Sequence, residues 1–502
     1  MADFPHPFYS KTVLQPAYFD AQKHLFGAML DAHDAHAVML AECDIITEDN
    51  ARALIDAIAT IRTKGAEAFD YVPGVEDLFF RIEAQIIELA GPDYGGNLQL
   101  ARSRNDLGQA LARMALRDMV LDLYSDLLML RQGVATLAAA HLKTFMPGYT
   151  HTQPAQPVTF AHYLVGVLSF LEKDQARLAH AYQNVNESPL GAAAFTGSGF
   201  PIDRDRVAQL LGFGGVIAST HHSIGAGDHL TDISFAIQSL AIGLSRVTKD
   251  LLFLATRESN ALYIDDSFIQ ISSIMPQKRN PVVLEHLRAR LSRTVGYAQT
   301  IATQCHNIPY GDTQDIEDEI LPPVAQAIST ARECLQLYAA FFTTLKLNEQ
   351  HLRAQSSEEF TTATELADEL VRREGLSFRQ AHKIVATAVQ TALKDPSENS
   401  STGNITLSIL QTAARETLGQ ELPVDEAFLR DALDPERFVS LRTGMGGVSP
   451  DATGNLLEQL TITIQKDHLW LDDAKNALAD ADNLRRQIVA SFWPTASIKN
   501  PG

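Results

Sequence analysis

At 502 residues the chain is too long for a single hydrophobic core, and about three domains of ~150 residues each are expected. A hydrophobic content of 45% and a charged content of 20% are those of an ordinary globular protein and exclude long-range disorder. The formal net charge of −20 leaves no basic field for nucleic acid or an anionic membrane, although a few local arginines suffice to hold a small anionic substrate.

In chain order, Met1-Ala2-Asp3-Phe4-Pro5 lacks a basic segment followed by an apolar one, so no signal peptide is expected. From Tyr18 to Leu40, and again from Ala51 to Ile61, apolar residues recur at spacings of three and four, which predicts helices. A Gly/Pro-bearing stretch, Gly91-Pro92 to Gly95-Gly96, follows. The Pro-free run from Asp106 to Leu142 is rich in Ala, Leu, Met and Arg and predicts a helix far longer than average. Similar patterns cover Val158 to Val185, Leu230 to Arg257, Pro281 to Cys305 and Pro323 to Leu345. Beyond about residue 350 the texture changes, with breaks at Asp395-Pro396-Ser397, Ser400-Ser401-Thr402-Gly403 and Gly444-Met445-Gly446-Gly447. Strand signals are few and short. The expected fold class is therefore all-α: an elongated central long-helix bundle, residues 102–350, flanked by two smaller helical domains, residues 1–101 and 351–502.

Several chemistries are not supported. Cys43, Cys305 and Cys334 have no short spacing for a disulfide framework or a zinc site and fit a reducing compartment. The pairs His33/His36 and His221/His222 lack the carboxylate or thiolate spacing of a metal site and read as structural or solvated histidines. No apolar run approaches the ~20 residues of a membrane span. Gly444–Gly447 follows no strand, so phosphate binding is unsupported. A cytoplasmic protein without metal or other cofactor is expected.

The most unusual segment is Ile271-Ser272-Ser273-Ile274-Met275-Pro276-Gln277-Lys278-Arg279-Asn280-Pro281, ahead of a helix that carries Glu285. By composition alone it reads as a solvated inter-helix loop. The string Ser-Ser-x-Met-Pro-x-Lys-x-Asn-Pro, however, resembles the signature of the fumarase/aspartase superfamily of lyases. Ala101-Arg102-Ser103-Arg104-Asn105-Asp106 and Gly148-Tyr149-Thr150-His151-Thr152-Gln153-Pro154 look like the argininosuccinate lyase branch, as do Ser188-Pro189-Leu190-Gly191 and Phe200-Pro201-Ile202-Asp203-Arg204. The resemblance covers most of residues 30–320.

That resemblance implies a carbon–nitrogen lyase that eliminates an amine from an anionic N-succinyl substrate and releases fumarate. Proton abstraction next to a carboxylate generates an aci-carboxylate dianion, which needs donors aimed at the oxygens that gain charge. By resemblance, Lys278 and Asn280 supply them, and a serine of the loop is the base: Ser272 by motif position, with the adjacent Ser273 as the alternative. A serine hydroxyl is a poor base and needs activation, for which Lys278 and the loop amides are the candidates. His151, paired with Glu285, suits proton delivery to the departing nitrogen. Ser103, Arg104, Asn105, Thr150, Gln153 and Met275 complete the implied substrate ligands; the plainer reading of the first three is a helix cap with a solvated arginine. The family also implies a homotetramer whose active sites each combine three subunits, since a ~35-residue helix of about 50 Å keeps these motifs apart within one chain.

The resemblance breaks at the amine end. Family members carry Leu-Pro-x-x-Tyr-Asn-x-Asp-Leu-Gln-Glu-Asp-Lys, whose tyrosine, glutamine and lysine hold the amino-acid end of argininosuccinate. Counted from Pro309, those positions are Asp312, Glu317 and Ile320; a shifted register restores Tyr310 or Gln314 but no lysine. Near the N-terminus Ala35-His36 and Met39-Leu40 match the family, whereas His33 replaces a serine and Gln99-Leu100-Ala101 replaces His-Thr-Gly. These changes predict a leaving amine other than arginine, for instance an aminopolycarboxylate such as ethylenediamine-disuccinate. A true argininosuccinate lyase is the alternative, and a catalytically silent structural homologue, of the kind found in eye lenses, is the reading from another class.

Overall fold

The computed structural model describes residues 4–394 and 405–492; Met1–Asp3 and the breaks expected at Asp395–Ser397 and Ser400–Gly403 lie outside the described residues. Three N-terminal helices come first: α1 (Gln15–Glu42), α2 (Glu48–Lys64) and α3 (Leu78–Ala90). Their ends follow local chemistry. The Thr47 hydroxyl accepts from Asn50 N at 3.2 Å and the Asp77 carboxylate from Phe80 N at 2.9 Å, while Gly65, at φ 77°, terminates α2. Leu30, Val38, Leu54, Ile58 and Ile82 close a core among them.

The bundle follows. Its first helix, α4 (Arg104–Ala140), has 37 residues, and at 1.5 Å per residue it is about 55 Å long. A hairpin of β1 (Phe145–Thr150) and β2 (Gln153–Thr159) turns the chain into α5 (Phe160–Val185), and α6 (Asp228–Leu254) runs alongside. Next, β3 (Gln270–Ile271) and β4 (Arg279–Asn280) pair antiparallel and frame the Ser/Lys loop, which opens α7 (Val282–Gln304); α8 (Leu321–Thr344) completes the set. The five long helices expected from sequence are all present. The Val158-to-Val185 pattern begins in strand, because Pro154 and Pro157 favour extended edge backbone and Thr159 caps α5 by accepting from His162 N at 3.1 Å. The structure is otherwise helical, with only short two-stranded pairs among the described residues.

The C-terminal part holds α9 (Ala363–Glu374), α10 (Phe378–Lys394) and α11 (Leu407–Leu418) around their own core of Leu366, Leu370, Ile384 and Leu410. Then α12 (Pro450–Ser491), 42 residues long, runs back along α4 and α5. Leu457, Leu460, Ile464 and Leu471 join the bundle core. Arg131, 1% exposed in its side chain, pairs there with Asp467, and the Trp470 ring lies 4.5 Å from that of Tyr124. The sequence patterns did not single out this helix. We propose the division at 101/102 and 350/351 with α12 crossing it, since that helix belongs to the bundle by packing.

Candidate active site

The loop 271–281 hangs from the β3–β4 pair, where Gln270 faces Asn280 and Ile271 faces Arg279. Arg279 anchors its base by donating to Ile264 O at 3.1 Å and pairing with Asp266. Within the loop, Ser272 Oγ accepts from Met275 N at 3.1 Å and from Ile274 N at 3.4 Å. Two amide donors on one hydroxyl oxygen favour its deprotonated form. Ser273 has no hydrogen bond of this kind among the described residues. Ile271, Ile274 and Met275 are exposed on the loop at 71%, 83% and 39%, an apolar tip that nothing in the single chain covers among the described residues.

Beside the loop lies a cleft of ≈ 810 Å³ whose walls include Lys278, Asn280, Glu285, Thr152 and Tyr149. It is cationic. Lys249, Arg257, Lys278, Arg279 and Arg288 line it against Asp250, Glu258 and Glu285, an excess of two positive charges in a chain of net −20. Tyr163 donates to Asp250 at 3.0 Å in the same wall. The β1–β2 turn brings Thr152 to the cleft, and His151 and Thr152 have φ of 51° and 63°. Left-handed backbone at both central residues of a two-residue hairpin matches strand twist but normally recruits Asn and Gly. A β-branched Thr152 there stores about 1–3 kcal/mol of strain. Thr150, His151 and Gln153 are exposed at this tip. No hydrogen bond joins His151 to Glu285 within the chain among the described residues.

Ser103, Arg104 and Asn105 sit elsewhere. They open α4, whereas the β1–β2 hairpin follows its other end, so the helix length separates them from the cleft. Ser103 caps the helix in a capping box: its N–H donates to Asp106 Oδ1 at 2.9 Å, and its hydroxyl donates to Asn105 Oδ1 at 3.1 Å. Asp106 is fully buried and also accepts from Gly191 N and Ala193 N at 3.0 Å each, which ties the Ser188–Gly191 motif to this turn. Burial pushes its carboxyl up to about 6 despite those donors. Gly191 is required there: at φ 83° a Cβ would meet the Arg204 side chain at 2.6 Å, and Arg204 donates to Leu190 O at 2.7 Å.

Arg104 is not solvated. It contacts Glu76 and Asp77 at 3.1 Å each and Glu317 at 3.6 Å. Burial opposes its charge, but Glu76, Glu317 and Asp77 outweigh it and raise its pKa. Sequence reading placed Arg104 correctly on the helix start but missed Glu76 and Asp77, which meet it only through folding. The altered family positions explain themselves locally: Gln99 Oε1 accepts from Arg102 Nε at 3.0 Å, and His36 Nε2 lies 2.9 Å from Leu100 O. His33 is buried with neither ring nitrogen partnered among the described residues, and burial holds its pKa well below the usual value.

A lyase family pattern matches residues 12–296, and a pattern described as argininosuccinate lyase C-terminal matches residues 360–440. The chain is 34% identical over 96% of its length to argininosuccinate lyase 1 of Shouchella clausii (strain KSM-K16), covering 96% of that protein. It is 38% identical over 89% of its length to argininosuccinate lyase 2 of Agrobacterium fabrum (strain C58 / ATCC 33970), covering 88% of it. Among solved structures, an EDDS lyase variant with bound fumarate superposes with a TM-score of 0.86 at 30% identity, over 98% of this chain and 96% of that one.

Proposed function

The chain belongs to the argininosuccinate lyase family of the fumarase/aspartase superfamily, and from that premise we propose that it cleaves the C–N bond of an N-succinyl amine whose leaving amine is not arginine, releasing fumarate. The observation that carries this reading is the cationic cleft beside Ser272, in an acidic protein. A dicarboxylate is drawn to it, and Lys278 and Asn280 stand where a second carboxylate charge develops. Ser272, with two amides on its oxygen, takes the proton from the carbon next to one carboxylate. Electrons of that C–H bond pass to the aci-carboxylate, then return to form the carbon–carbon double bond as the C–N bond breaks. His151, oriented by Glu285, protonates the departing nitrogen, so the products are fumarate and the free amine.

The Ser103–Asn105 turn lies a helix length from the loop within one chain, and the loop tip is apolar and exposed. Both facts support a homotetramer in which three copies complete each site. The substitution of Asp312, Glu317 and Ile320 for the family's tyrosine, glutamine and lysine supports the non-arginine amine. The fold shared with EDDS lyase favours an aminopolycarboxylate as a second reading. Incubation with fumarate and single amines, following fumarate absorbance, tests the proposal. Loss of absorbance with an amine other than arginine is expected; turnover with arginine alone contradicts it.

A further inference from the structure

A second pocket opens at the start of α4, between that helix, the Glu76-Asp77 turn and the Gln314–Glu317 segment that leads into α8. It holds ≈ 160 Å³ of space, with Leu25, Met29, Leu111 and Val324 in its apolar wall. Its polar wall is the reverse of the loop cleft: Glu76, Asp77, Glu317 and Asp318 face Arg104. Gln109, one helical turn beyond Arg104, lines the same pocket at 4% exposure, and its side-chain amide has no hydrogen-bond partner among the described residues. That amide is not sealed off from the pocket, so it is open to a polar group bound there. Burial first, and then Asp312, pushes Glu317 up to about 7, a sign that carboxylates are crowded here beyond what Arg104 neutralises.

We propose that this pocket receives the leaving amine and selects one with a second positive charge: a diamine or polyamine carrying the succinyl group at one end. The far ammonium donates to Glu317 and Asp77 and to the Gln109 carbonyl, and the methylene chain lies on the apolar wall. A carboxylate on the amine half meets repulsion and desolvation instead, which disfavours aminopolycarboxylates. Arg104 keeps its role toward the succinyl carboxylate and shares its charge with the acidic wall. This proposal rests on the reading of a non-arginine N-succinyl amine above.

The test uses the full chain with fumarate and, separately, putrescine, butylamine, ethylenediamine-monosuccinate and arginine. Putrescine is expected to add with a kcat/KM at least about tenfold above butylamine, and Glu317→Gln to cut that preference by about tenfold. Faster addition of ethylenediamine-monosuccinate than of putrescine overturns the diamine selection and leaves the non-arginine reading standing. Equal rates for putrescine and butylamine do the same. Addition of arginine alone, or of no amine, overturns both.

Discussion

In the proposed mechanism Ser272 is the base because of its neighbours. Two backbone N–H groups converge on its oxygen, whereas Ser273, one residue on, has no such donors among the described residues. Ser272→Ala is expected to lower turnover by about 10²–10⁴-fold while calorimetry still detects fumarate binding. Activity that persists in Ser272→Ala and disappears in Ser273→Ala moves the base by one position. Glu317 carries the second residue-scale prediction. Its carboxyl, raised to about 7 by burial and by Asp312, binds more protons in the folded chain than in the unfolded one. That term therefore stabilises the fold increasingly as pH falls from about 7 toward the ordinary glutamate value of about 4.3, and is lost as pH rises through 7. Thermal unfolding is expected to show Glu317→Gln gaining on the native chain as pH rises from about 4.3 to about 7 and keeping that difference above it. A stability difference independent of pH contradicts the crowding of carboxylates around Arg104.

At the scale of elements, α12 docks on the bundle through Leu457, Leu460, Ile464 and Leu471, one buried ion pair and the contacts of Trp470 with Tyr124 and Tyr182. Arg131 is enclosed, and removing Asp467 leaves its guanidinium without a counter-charge. Asp467→Ala is expected to cost about 3–5 kcal/mol in urea unfolding, against less than about 1 kcal/mol for an exposed pair such as Arg415–Glu421. Equal losses at the two positions contradict that docking. The same helix shows where legibility ends. Long Ala/Leu-rich runs such as Asp106 to Leu142 announce themselves because neighbours bury them on several sides. In α12 the core positions Leu457, Leu460, Ile464 and Leu471 are spread among Glu458, Lys466 and Asp467, so its pattern is diluted. The β1–β2 hairpin was hidden for another reason: its turn is His151-Thr152, not the usual Asn-Gly, and its strands are marked by prolines. Site residues of the loop were legible as a contiguous string. The acidic wall around Arg104 was not, since Glu76 and Asp77 lie 28 and 27 residues before it and join it only through the fold.

For the molecule as a whole, opposite charges at opposite ends of the bundle organise the account. A cationic cleft by the loop suits the dicarboxylate half of a substrate, and an acidic pocket at the start of α4 suits its amine half, about 55 Å of helix away. On the proposed reading one chain holds two incomplete half-sites, which a symmetric assembly of antiparallel copies can bring together. Among the described residues no helix is long and apolar enough to cross a membrane. The most direct measurement is co-refolding of two inactive variants, Ser272→Ala and Arg104→Ala, followed by a fumarate-release assay on the mixed oligomers. Mixed assemblies contain some sites in which a native loop meets a native α4 start, so recovery of activity is expected. If the two variants fold and co-assemble and the mixture stays as inactive as either alone, the division of the site between copies is wrong.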